Sequence, residues 1–167
     1  VSLSIQLFKQ LRVLHKFPRQ YLKILKVAAY LYEAGKKVGF YNFEKHSAYI
    51  VLNSNIYGIS HRDLVMASFV CSSTGIDDIN PLDWARYRDL VTDEDVDAVR
   101  KMGVILRIAC SLDRSLSSII TGINCDILGD SVIMKTETES DASLEINSAL
   151  EVGPDFRKVF RKNLEIL

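Results

Sequence analysis

The apolar residues of this chain change their period once, near Ser118, and that change limits what the chain can fold into. Before it, Leu3, Leu7, Leu11 and Leu14 recur at helical spacing and stop short of Pro18. Pro18 suits the first turn of a second helix, whose Leu22, Leu25, Ala29 and Tyr32 share a face and whose end is expected at Gly35. The pattern predicts a third helix over about Phe43–Asn53. Ser60 with Asp63 resembles a capping pair opening a fourth, through about Cys71. Gly75 and the run to Pro81 read as a loop, with a short helical piece around Trp84 after it. Thr92 caps a long helix to about Ser115. After Ser118, Ile123, Cys125 and Ile127 alternate with polar residues, Gly129-Asp130 turns the chain, and Val132 and Met134 alternate again. Leu144 and Ile146 suggest a third strand, Phe156, Val159 and Phe160 a helix, and Leu164–Ile166 a last strand. The expected architecture is mainly α: a helical region over 1–117, then a small α+β unit over 118–167 that packs on it.

Apolar residues make up 48% of the 167, enough for a real core, so disordered and low-complexity classes are excluded. The longest apolar runs, Val27–Tyr32 and Leu64–Cys71, fall far short of the ~20 residues that span a bilayer. Lys9, Arg12 and Lys16 break up any signal-peptide core. The chain begins at Val1 rather than Met, which suggests a fragment of a longer protein. Cys71, Cys110 and Cys125 are odd in number and widely spaced, so they read as free thiols of a reducing cytoplasm.

The formal net charge of zero conceals an asymmetry. Residues 1–60 carry nine Lys and Arg against Glu33 and Glu44 alone, an excess of seven positive charges. Lys9, Arg12 and Lys16 stripe the first helix, Arg19, Lys23 and Lys26 the second, and Lys36, Lys37 and Lys45 follow. Such stripes are either solvated helix faces or a surface for a polyanion. Phosphate-binding glycine loops, G-x-S-x-G and H-E-x-x-H are all absent. Asp93-Glu94-Asp95-Val96-Asp97 imitates the start of a calcium loop. Ala98 stands where the turn needs Gly and Val104 where the site needs Glu, so the carboxylates read instead as the first turn of a capped helix. His15 and His61 read as surface residues.

Several segments together resemble a known family. They are A-A-Y-L-Y-E-A-G-K-K-V-G-F-Y-N-F-E-K-H (Ala28–His46), K-H-S-A-Y-I-V-L-N-S-N (Lys45–Asn55), G-I-S-H-R-D (Gly58–Asp63) and G-V-I-L-R-I-A-C-S-L-D-R-S (Gly103–Ser115). I-N-C-D-I-L-G-D-S-V-I-M-K, L-E-I and D-F-R-K-V-F-R-K-N-L-E-I-L follow in the tail. In this order, over about residues 19–167, the chain resembles the C-terminal region of the exopolyphosphatase / guanosine pentaphosphate phosphatase (Ppx/GppA) family: an HD-like helical domain and a small α+β tail domain. The resemblance implies upstream actin-like domains that carry the catalytic glutamate, the magnesium and the phosphate loops. It assigns this region a basic channel for inorganic polyphosphate or (p)ppGpp-type anions, and a part in a homodimer.

On that resemblance Tyr32-Glu33 occupies the place of the metal-binding His-Asp dyad, with Tyr32 a poor metal ligand. Glu33, His46 and Asp113 remain as oxygen or imidazole donors, and Asp113 equally suits pairing with Arg114 or Arg107. Tyr32, Glu33 and Asp113 are therefore expected to form a vestigial site, with no metal and no catalytic residue in this chain. Lys36, Lys37, Lys45 and His46 are the expected anion-binding residues, although His46 equally reads as a hydrogen-bonded helix histidine. Two other functions stay open: an HD-type metal-dependent nucleotide phosphohydrolase, and a basic helical module for nucleic acid.

Overall fold

The computed structural model describes residues 1–73 and 79–167. Gly75, Asp77 and Asp78 of the expected loop lie outside the described residues. The chain enters through α1 (Ser2–Gln10) and the short α2 (Arg12–His15), which stops where Lys16 turns left-handed (φ 57°). Pro18 sits in the turn before α3 (Tyr21–Leu31), its carbonyl accepting from Tyr21 N–H at 3.0 Å. α3 ends four residues before Gly35, so that glycine is not its stop. Gly35 lies in a 3-10 turn (Ala34–Lys37) pressed onto α4 (Phe43–Leu52): a Cβ there would stand 2.1 Å from the Phe43 carbonyl oxygen. The glycine is needed for close approach rather than for a left-handed cap.

α5 (His61–Ser72) opens on Ser60, whose Oγ accepts from Asp63 N–H at 3.1 Å. α6 (Pro81–Ala85) is capped by Asn80, and its buried Trp84 meets Phe69 of α5 with ring centroids 4.9 Å apart. α7 (Asp93–Ser111) opens with the capping box of Thr92 and Asp95. Its Val99, Met102, Ile105 and Ile108 are wholly buried, because α1, α3, α5 and the tail all pack around it. Each such side chain stabilises the fold by roughly 1.5–3 kcal/mol.

Beyond the turn at Leu116 and Ser118, β1 (Ile120–Leu128) and β2 (Ser131–Thr138) form an antiparallel hairpin. Gly129 closes it with φ 49°, a conformation that favours glycine at a two-residue turn. The expected third strand at Leu144 and Ile146 is instead a helix, α8 (Ser143–Leu150). The residues that bury are Ala142, Glu145, Ala149 and Val152, three or four apart, while Leu144 is 61% exposed. Two apolar residues two positions apart were too short a run to set a strand period. α9 (Gly153–Phe160) follows, and β3 (Asn163–Ile166) pairs parallel to β2 in the order β1-β2-β3.

Two long-range devices hold the parts together. Gln6 and Gln10, one turn apart on α1, lie along the outer edge of β1. Gln6 Oε1 accepts from Ile123 N–H (3.0 Å), Gln10 Oε1 accepts from Cys125 N–H (2.5 Å), and Gln10 Nε2 donates to the Ile123 carbonyl. Their amides stand in for a neighbouring strand and cover an otherwise open edge. Asp95, 2% exposed, receives Arg62 Nη2, Tyr21 OH (3.1 Å) and Thr92 N–H (2.9 Å), which joins the starts of α3, α5 and α7. Burial works against that carboxylate, yet these donors and the Arg62 charge hold its pKa below the ordinary range. His15 is a correction of another kind. It is buried between the rings of Phe8 and Phe17, its Nε2 donating to the Phe8 carbonyl (2.7 Å) and its Nδ1 accepting from Phe17 N–H (3.0 Å).

Candidate functional site

Tyr32, Glu33 and Asp113 do come together, at a cavity of about 160 Å³ between α1, α3 and α7 that Cys110 also lines. Each is engaged in a way its local sequence dictates. Tyr32 follows directly on α3, and its ring stacks edge-on against Phe43 at 5.4 Å. Burial pushes its phenol well above the ordinary range, with the Cys110 and Glu44 side chains adding to the effect. Glu33 is three residues from Lys36, and their ion pair measures 2.5 Å. Asp113 lies just past the end of α7, and its Oδ1 accepts from Ser118 N–H at 3.2 Å, fixing the turn into β1. Arg107 pairs instead with Asp155 of α9 (2.6 Å), and Arg114 donates to Ser148 (2.9 Å).

The four expected anion-binding residues face different surroundings. Besides Glu33, the Lys36 ammonium lies 5.0 Å from the Phe43 ring centroid. Lys37 is exposed on the 3-10 turn. Lys45 lines a cavity of about 560 Å³ formed by α4, α5 and α6. His46, half-buried one residue on, points its ring at Gly39, where a Cβ would stand 3.3 Å from Nε2. His46 is thus apart from the cavity that Glu33 and Asp113 line. The wider basic surface is more uniform. Lys9, Arg12, Lys16, Arg19, Lys23 and Lys26 are all exposed. Of the nine cations in residues 1–60, Lys23 pairs with Asp63 (3.3 Å) and Lys36 with Glu33, which leaves seven without a carboxylate partner among the described residues.

A search of curated proteins finds no match to this sequence. The family model for domain III of the Ppx/GppA phosphatases matches residues 1–151, nearly the whole chain. The chain belongs to the Ppx/GppA phosphatase family.

In this Ppx/GppA domain the dyad cavity is a poor place for a divalent cation. A phenol kept protonated by burial, a glutamate tied to lysine and an aspartate holding a backbone amide do not make a magnesium site, which needs several free oxygen ligands. Among the described residues no three His, Cys, Asp or Glu side chains lie close enough to hold a metal. Burial pushes the thiols of Cys71, Cys110 and Cys125 up to about 12. The sequence reading missed Arg86, which shares the large cavity with Lys45, Tyr49 and Tyr87. It stands in the acidic middle of the chain, just past α6, and the packing of Trp84 on Phe69 of α5 brings it to the cavity that Lys45 also lines. No helix among the described residues is long and apolar enough to cross a membrane.

Proposed function

We propose that this Ppx/GppA domain serves an exopolyphosphatase-type phosphatase by binding the anionic substrate and by mediating assembly, while catalysis rests on groups outside these 167 residues. The substrate is inorganic polyphosphate or a guanosine pentaphosphate-type anion. The carrying observation is the set of seven cations of the first third that have no carboxylate partner. Exposed cations of this kind attract a phosphate chain from a distance and bind it by displacing its counterions. Actin-like domains upstream supply magnesium and the catalytic carboxylate, the assembly is a homodimer, and the protein works in the cytoplasm, where unpaired thiols such as these persist.

Binding of long-chain polyphosphate should therefore weaken steeply as salt rises, in a titration read by fluorescence anisotropy. Replacing Lys37 and Lys45 with Ala should weaken binding and flatten its salt dependence. Lys36→Ala should do less, because that ammonium already serves Glu33 and the Phe43 ring. Affinity unchanged between low and high salt, or unchanged in the Lys37/Lys45 variant, would remove the basis for the proposal. Light scattering tests the homodimer separately.

A further inference from the structure

Residues in and just past α6 line two cavities of different character. Asp83 and Arg86 line the one that Lys45 shares, while Pro81, Trp84, Ala85 and Arg88 line another, of about 520 Å³. Those four stand at i, i+3, i+4 and i+7, the spacing of one helical face, and α7 answers with Asp93, Val96 and Arg100 at i, i+3 and i+7. The floor is apolar: Ile79, Trp84 and Val91 are buried, and Val96 is half-buried. The charges around it are Arg88, Arg100 and Asp93. Asp93 is exposed in the first turn of α7, where a carboxylate complements the helix dipole. The arginine ion pairs among the described residues are those of Arg62, Arg86 and Arg107, so both guanidiniums of this cavity go without one. Arg100 Nε is moreover buried with no acceptor, whereas buried donors are ordinarily satisfied.

We propose that this cavity binds a small organic monocarboxylate with an apolar body, its carboxylate on the Arg100 guanidinium and its body over Trp84, Val91 and Val96. Two guanidiniums against Asp93 leave a single positive charge in excess, which suits one negative charge on the ligand. A carboxylate meets the fork of a guanidinium with paired hydrogen bonds and supplies the acceptor that Arg100 lacks. The apolar floor takes the rest of the ligand out of water, the usual source of affinity in a small-molecule pocket. That same floor disfavours a phosphate chain, which would give up its water without a polar partner along its length. Arg88 is exposed and draws the anion in from a distance. The cavity thus differs in chemistry from the exposed lysines of the first third, and the proposal stands whether or not those bind polyphosphate.

The chain has a single tryptophan, Trp84, so its fluorescence reports on this cavity directly. The probe is sodium cyclohexylacetate, titrated into the 167-residue chain at fixed ionic strength. Cyclohexylacetamide, which lacks the charge, and acetate, which lacks the body, are the controls. Cyclohexylacetate should shift the Trp84 emission saturably, and each control should bind about tenfold more weakly or worse. Arg100→Gln should lower affinity about tenfold, and Arg88→Gln, a change at an exposed side chain, about threefold. Lys37→Ala with Lys45→Ala should leave affinity within about twofold, and a larger loss there would place the anion on the basic first third and overturn the proposal. Should Arg100→Gln fold poorly, Arg88→Gln and the comparison of acid with amide on the unaltered chain still decide the matter. An emission shift that never saturates, equal affinity for acid and amide, or affinity untouched by the arginine variants would also overturn it.

Discussion

Gly35 shows at the residue scale how a single hydrogen atom shapes the site. Its N–H donates to Ser47 Oγ at 2.9 Å, and the same hydroxyl donates to the Tyr32 carbonyl, so the turn after α3 is clamped to α4. A methyl group at residue 35 must displace the backbone of α4. Gly35→Ala should cost about 1–3 kcal/mol and lower the melting temperature by several degrees, measured by calorimetry. An unchanged melting temperature would mean that α4 shifts freely. His15 gives a pH prediction. Burial lowers its pKa below 6.5, the nearby charges of Lys101 and Arg12 add to this, and the Phe8 carbonyl opposes it. The unfolded chain therefore takes up a proton that the folded chain refuses. Stability is full above the unfolded value of 6.5 and falls as pH drops below it, by up to about 1.4 kcal/mol per pH unit. Urea titrations across that range should show the slope in the wild type and a flatter one in His15→Gln. Equal slopes would assign the effect to other groups.

Among the elements, α1 is the joint between the two parts of the fold. Gln6→Ala with Gln10→Ala strips the edge of β1 of three hydrogen bonds to two side-chain amides, each bond contributing roughly 0.5–1.5 kcal/mol. Exchange of the Ile123 and Cys125 amides should accelerate while the centre of α7 stays protected. Unchanged protection at both amides would show that the edge is held by apolar packing alone. The sequence made α1, α4, α5, α7 and the β1–β2 hairpin legible because each buries a long periodic stripe or closes on a recognisable cap or turn. α8 was misread because its buried face uses Glu145, Ser148 and Ala149, which hydropathy does not mark. Tyr21, Arg62 and Asp95 could not be matched in advance, since they lie 33 to 74 residues apart and only packing selects which charges meet. The dyad residues were placed by family resemblance. Their engagement by Lys36 and by Ser118 N–H was not visible in any motif.

Taken as a whole, the molecule separates a basic first third from a long acidic remainder. Hydrolysis of a phosphoanhydride requires a positioned water, a base to take its proton, and cations beside a metal to hold the leaving phosphate. The central claim is that this domain binds the anion and does not cleave it. Phosphate release is the direct measurement, made on the 167-residue chain and on a longer chain that includes the proposed actin-like domains, with polyphosphate or pppGpp and with magnesium or manganese present. The account predicts no release by the short chain and turnover of at least one substrate by the longer one. Metal-dependent turnover by the short chain, abolished by Glu33→Ala or Asp113→Ala, would contradict it and make the dyad cavity an active site.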